Sequence, residues 1–164
     1  MSHASEPSLD AVRDGLLAHH QRHADALPWI AAPGTGRASK LLRVFGDRGF
    51  AELIRMDPGT AMPLHRHGGD VHAWNLVGER LLHTGERIAA GGYAHEPPGT
   101  LDWWKAVGDE PLVTLVVVTG TVEFLGPGDT VTARVTAATR LADYIRHCRE
   151  TGCLALELDV GPWH

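Results

Sequence analysis

The sequence predicts an all-β fold: one small antiparallel barrel or sandwich with a short helix before it and a longer helix after it. Two observations carry this reading. From Ala38 to about Val135 the chain alternates short apolar runs with glycine- and proline-rich breaks, while helical spacing occurs only toward the two ends. A length of 164 residues suits a single domain. The expected organisation is an N-terminal helix and arm over 1–37, a barrel over 38–135, and a C-terminal helix and tail over 136–164.

In chain order, Ser8 is a candidate N-cap, and Leu9, Val12 and Leu16 share one helical face. Pro28 and the stretch from Ala32 to Gly36 stop any helix. Gly34-Thr35-Gly36 lacks a preceding strand and a third glycine in register, so it is no dinucleotide loop. Strands are predicted over 41–45, 50–56, 71–77, 80–83, 93–95, 101–107, 112–125 and 130–135. Gly46-Asp47, Asp57-Pro58-Gly59, Gly78-Glu79, Gly91-Gly92, Pro97-Pro98-Gly99, Gly108-Asp109 and Gly126-Pro127-Gly128 separate them. A final helix begins at the cap Thr136, places Leu141, Tyr144, Ile145 and Cys148 on one stripe, and ends at Gly152. It is expected to pack on the outside of the barrel, with Cys148 buried rather than nucleophilic.

Composition narrows the function. Fifteen basic against twenty acidic residues leave a formal charge of −5, which argues against nucleic acid or an anionic membrane as the main partner. No apolar run approaches the roughly 20 residues of a membrane helix. The first ten residues have neither a basic start nor an apolar core, and two cysteines make no disulfide framework, so a cytoplasmic protein is expected. Histidine is the outlier: eleven residues, against two lysines.

The informative stretch runs from Asp57 to Trp104. His65 and His67, two apart on a strand, point to one side of a sheet, and in a barrel that side can be the interior. Two imidazoles aimed into a cavity begin a metal site. His72 follows, after the Gly68-Gly69 turn, at the start of the next strand.

These residues carry a resemblance. Gly59, His65, His67 and Gly78 match the spacing of the first motif of the cupin superfamily, and Gly91, Pro97 and Gly99 match the second. The resemblance implies a small antiparallel jelly-roll barrel holding a metal ion, with Fe(II) the leading choice and Zn, Mn or Ni alternatives. The run Leu53 to Gly59, Pro63 to His67, Val71-His72, and Tyr93 with Glu96-Pro97-Pro98-Gly99 is similar to the dihydroxyacetophenone dioxygenase family. That likeness implies an iron enzyme that uses O₂ to cleave a carbon–carbon bond beside a ketone.

The chain departs from the pattern twice. The first motif's glutamate is missing: one register puts Val71 in its place, the other His72, and His72 faces inward only if a bulge or the longer register turns it. Asp102 stands where the second motif has its histidine. Either it completes a two-His-one-carboxylate site with His65 and His67, or it marks a lost ligand. Glu96 is a candidate acceptor behind the ligands or a general base, hence the expected catalytic residue, with a plain turn role as the alternative. Arg55, Trp74 and Trp104 are expected to line a substrate pocket, although tryptophan in a small barrel is also ordinary core.

The expected function is an Fe(II) dioxygenase acting with O₂ on a small hydroxyketone, diketone or phenolic substrate. The competing expectation is a zinc-binding sensor, as in the cupin domains of anti-sigma factors, or a cupin isomerase or lyase. A homodimer is expected from the resemblance.

Overall fold

A computed structural model describes residues 24–159. The predicted N-terminal helix lies outside them; a single 3-10 turn, Ala24–Ala26, precedes the sheets. Twelve strands follow: β1 (Ile30–Ala32), β2 (Arg37–Val44), β3 (Gly49–Met56), β4 (Ala61–His67), β5 (Val71–Val77) and β6 (Glu79–Leu82), then β7 (Arg87–Ile88), β8 (Tyr93–Glu96), β9 (Leu101–Val107), β10 (Leu112–Thr119), β11 (Val122–Leu125) and β12 (Val131–Val135). One helix, α1 (Ala137–Thr151), follows the strands.

The strands form two six-stranded sheets, β1-β2-β3-β10-β5-β8 and β12-β11-β4-β9-β6-β7. Every neighbouring pair is antiparallel. Consecutive strands repeatedly change sheet, as in a jelly roll. The run predicted as one strand over 112–125 is two. Gly120, at φ 95°, turns the chain between β10 and β11, which belong to different sheets. The very short β1 and β7, at one edge of each sheet, escape a reading based on alternation because three and two residues carry no period.

Two apolar clusters fill the interior. Met56, Met62, Trp104, Ala106 and Leu112 pack together in one part of the barrel. In the other, Leu41, Val44, Phe50 and Val118 meet Tyr144 and Cys148 of α1. The helix starts with a reciprocal cap, Thr136 Oγ1 accepting from the Thr139 amide and Thr139 Oγ1 from the Thr136 amide, and it stops at Gly152, φ 72°. Its buried stripe is narrower than predicted. Tyr144 and Cys148 are buried, Leu141 packs against them, and Ile145 is exposed, because the helix lies against only one sheet. Beyond it the chain returns to β2: the Val44 amide donates to the Leu158 carbonyl at 2.8 Å, and Leu158 is fully buried.

Candidate metal centre

His65 and His67 face inward because β4 carries a bulge. Met62 pairs with Trp104 and His65 with Asp102, so three steps along β4 match two along β9. The extra residue puts Met62, His65 and His67 all on the buried face. Pro63, in the bulge, accepts a hydrogen bond from His65 Nδ1 at 2.7 Å, which leaves Nε2 as the free donor atom.

Glu96 is the last residue of β8, in the opposite sheet. The turn Pro97-Pro98-Gly99-Thr100 carries the chain across, with the Thr100 amide donating to the Pro97 carbonyl and Gly99 at φ 84°. This is a type II pattern with proline at the second position and glycine at the third. The turn is tied to β4: the Gly99 amide donates to the His67 carbonyl at 2.8 Å, and the His67 amide to the Thr100 carbonyl at 3.1 Å. The motif that precedes β9 therefore delivers Glu96 to His67.

His65, His67 and Glu96 each offer one ligand atom, and these atoms lie within 4.8 Å of one another. His67 Nδ1 is 3.2 Å from Glu96 Oε2, yet that nitrogen is buried and makes no hydrogen bond. A buried, unpartnered imidazole nitrogen beside a carboxylate is costly in an apo site and is satisfied by a shared cation. Two imidazoles and a carboxylate suit Fe(II), Zn, Mn or Ni, so the residues fit the ion that the motifs imply.

Electrostatics point the same way. Burial, then the neighbouring His65, lowers His67 to about 4. Burial also lowers His65, against the opposing pull of the Pro63 carbonyl and of Asp102. Both imidazoles are therefore held neutral, as ligation requires. Burial, then Asp102, raises the Glu96 carboxyl to about 7, while Arg80, His83 and His95 oppose the shift. Arg80, 1% exposed, lies 3.9 Å from Glu96 and over the Trp104 ring. The group opens onto a cavity of about 60 Å³ whose apolar wall includes Ile54, Met62, Val71, Ala73 and Trp104.

Four expectations for the site need correction. The carboxylate of the cluster is Glu96, not Asp102. Asp102 is buried opposite His65, but its Oδ1 accepts from His83 Nδ1 at 2.6 Å, and it stays outside the cluster. His72 does not turn inward. Its neighbours Val71 and Ala73 are buried and line the cavity, so strand alternation sends it to the outer face, where it meets the Tyr93 hydroxyl at 2.7 Å and stacks on His95. Trp74 is 43% exposed on that same face, with its ring 4.5 Å from Tyr93. Arg55 is exposed and lies over Trp29, away from the cavity, because the inward residues of β3 are Glu52 and Ile54. Trp104 does line the cavity. Sequence reasoning overlooked Arg80, Glu52 and Arg140; two of these stand at inward strand positions, where a charged residue is itself a signal.

A small jelly roll with two inward histidines on one strand and a carboxylate from the facing sheet defines a cupin. Residues 18–123, more than half of the chain, match the ChrR cupin-like domain, and the chain belongs to that family. Among solved structures, it is similar to an RmlC-like cupin protein from Ralstonia eutropha, with 21% identity, TM-score 0.78, and coverage of 84% of this chain and 92% of that one. It is also similar to an acetylacetone dioxygenase from Acinetobacter johnsonii, with 13% identity, TM-score 0.63, and coverage of 89% and 95%. A cupin-superfamily sugar phosphate isomerase from Silicibacter pomeroyi shares 23% identity at TM-score 0.51, covering 63% and 80%. At these identities the likeness is one of fold. A search of curated proteins finds no match. Among the described residues no helix is long and apolar enough to cross a membrane.

Proposed function

We propose that this protein is a metal-dependent oxygenase: a non-haem Fe(II) dioxygenase that cleaves a carbon–carbon bond in a small diketone, hydroxyketone or phenolic compound. The observation that carries the proposal is the neutral His65–His67 pair with Glu96, buried at the wall of an apolar cavity. Iron bound there supplies Lewis acidity toward chelating substrate oxygens and the redox chemistry that O₂ needs. The chain supplies the rest. Glu96 is the anionic member of the site. Arg80 faces it and favours its ionised form. Asp102 holds His83, and its field opposes the lowering of His65 by burial. Ile54, Met62 and Trp104 keep water from the reacting carbons.

The test has two steps. Purified protein is expected to hold about one metal ion per chain, and the His65→Ala/His67→Ala double variant to hold none. Retained metal in that variant places the site elsewhere. The Fe(II)-loaded protein is then expected to consume O₂ with pentane-2,4-dione or a hydroxyketone. A full complement of zinc, with no O₂ consumption by the Fe(II)-loaded protein on a panel of such ketones, makes the protein a metal-binding module instead.

A further inference from the structure

The metal-side cavity has a neighbour. A second cavity of about 160 Å³ lies beside it, toward β1 and β2. The two share Ile54, Met62, Phe124, Val135 and Arg140 as lining residues, so they adjoin one another with these side chains between them. Two arginines line the second cavity, Arg37 on β2 and Arg140 in the first turn of α1.

Neither guanidinium is fully used. Arg140 Nη2 donates to Glu52 Oε1 at 2.9 Å, but its Nε is buried and has no partner. Among the described residues the one side-chain hydrogen bond of Arg37 goes from Nη1 to the Met62 sulfur, a weak acceptor, at 3.2 Å. Among the described residues Arg37 makes no ion pair. Burial and the nearby Arg140 both disfavour its charge. Arg37 is also close enough to His65 to disfavour protonation of that imidazole. Two guanidinia that repel one another and both line a half-enclosed, largely apolar cavity make a site for an anion. Deeper in, Arg80 faces Glu96 and Asp102, which favour its charge against the larger effect of burial, while its Nε and Nη2 are buried without a hydrogen-bond partner.

We propose that the two adjoining cavities together bind a small oxo-carboxylate, its carboxylate held by Arg37 and Arg140 and its carbonyl oxygens directed at the His65–His67–Glu96 cluster. The inference rests on the metal reading above and narrows its substrate class from neutral ketones to keto acids. A carboxylate suits the planar fork of a guanidinium. The small inner cavity accepts only a few heavy atoms beyond it.

The test uses the full chain loaded with Zn(II), which binds without turning over, and isothermal titration with two probes. Pentane-2,4-dione and 2,4-dioxopentanoate share a diketone and differ in that a carboxylate replaces one methyl group. The wild type is expected to bind the keto acid about tenfold or more tightly than the diketone, the worth of one charge-assisted hydrogen bond. Arg37→Gln is expected to remove that advantage, lowering keto-acid affinity about tenfold more than diketone affinity, with the bound zinc measured in each preparation. Arg37→Lys, which keeps the charge but loses the fork, is expected to retain part of the advantage. Equal affinities in the wild type, or equal losses for both probes in Arg37→Gln, overturn the inference while the metal site stands. If zinc does not bind, the metal reading fails and titration of the metal-free protein decides the anion site alone: keto-acid binding that depends on Arg37 upholds that site, and no binding overturns it.

Discussion

Glu96 and His67 sit within contact distance and are shifted in opposite directions, one raised to about 7 and the other lowered to about 4. In the metal-free protein the neutral Glu96 carboxyl is tolerated below its ordinary value of 4.5. Its burial costs stability as pH rises through about 7, by roughly 3 kcal/mol at most. His67 behaves in the reverse sense: it is tolerated above 6.5 and costs stability as pH falls toward 4. Glu96→Gln is therefore expected to make the metal-free protein more stable than wild type at pH 8 and to leave it little changed at pH 4.5. Urea midpoints at the two pH values check this, and a variant less stable at pH 8 contradicts it. Metal affinity of the wild type is expected to climb as pH passes through 7, because ligation needs an ionised Glu96. The same variant loses that climb.

At the level of the element, the decisive part is the turn between β8 and β9. A Cβ at Gly99 meets nothing within 4 Å, so the obstacle to a side chain there is the backbone angle of 84° alone. Gly99→Ala is expected to cost about 1 kcal/mol in denaturation. It is also expected to weaken metal binding several-fold, because the Gly99 amide ties the turn to His67. Loss of stability with unchanged metal affinity would mean that the turn does not position Glu96. The bulge in β4 acts similarly: without the extra residue, Met62 and His65 would lie on opposite faces.

For the whole molecule, the tail that follows α1 joins helix and barrel. The Leu156 amide donates to the Tyr144 hydroxyl at 2.7 Å, and Leu158 is 0% exposed in the cluster that holds Tyr144 and Cys148. Leu158→Ala is expected to cost about 2–4 kcal/mol. Metal content of the folded protein should not change, since the site lies on the inward face of β4 and at the end of β8. Chemical denaturation and metal analysis of one preparation test both halves. A stable variant would show that the tail is only laid against the barrel.

Alternation along single strands was enough to read β5 and β9 at their observed limits, and helical spacing with two caps was enough for α1. The inward aim of His65 and His67 was legible for the same reason, since residues two apart on a strand share a face. What completes the site was not local. Glu96 lies nearly thirty residues from His67 and in the other sheet, and only the closing of the two sheets over one another brings their ligand atoms together. Asp102 held the position the motif reserves for a ligand, but His83, brought alongside by the pairing of β6 with β9, takes one of its oxygens. Position along a strand determines the side of the sheet that a residue faces; the packing of sheet on sheet determines what it meets there.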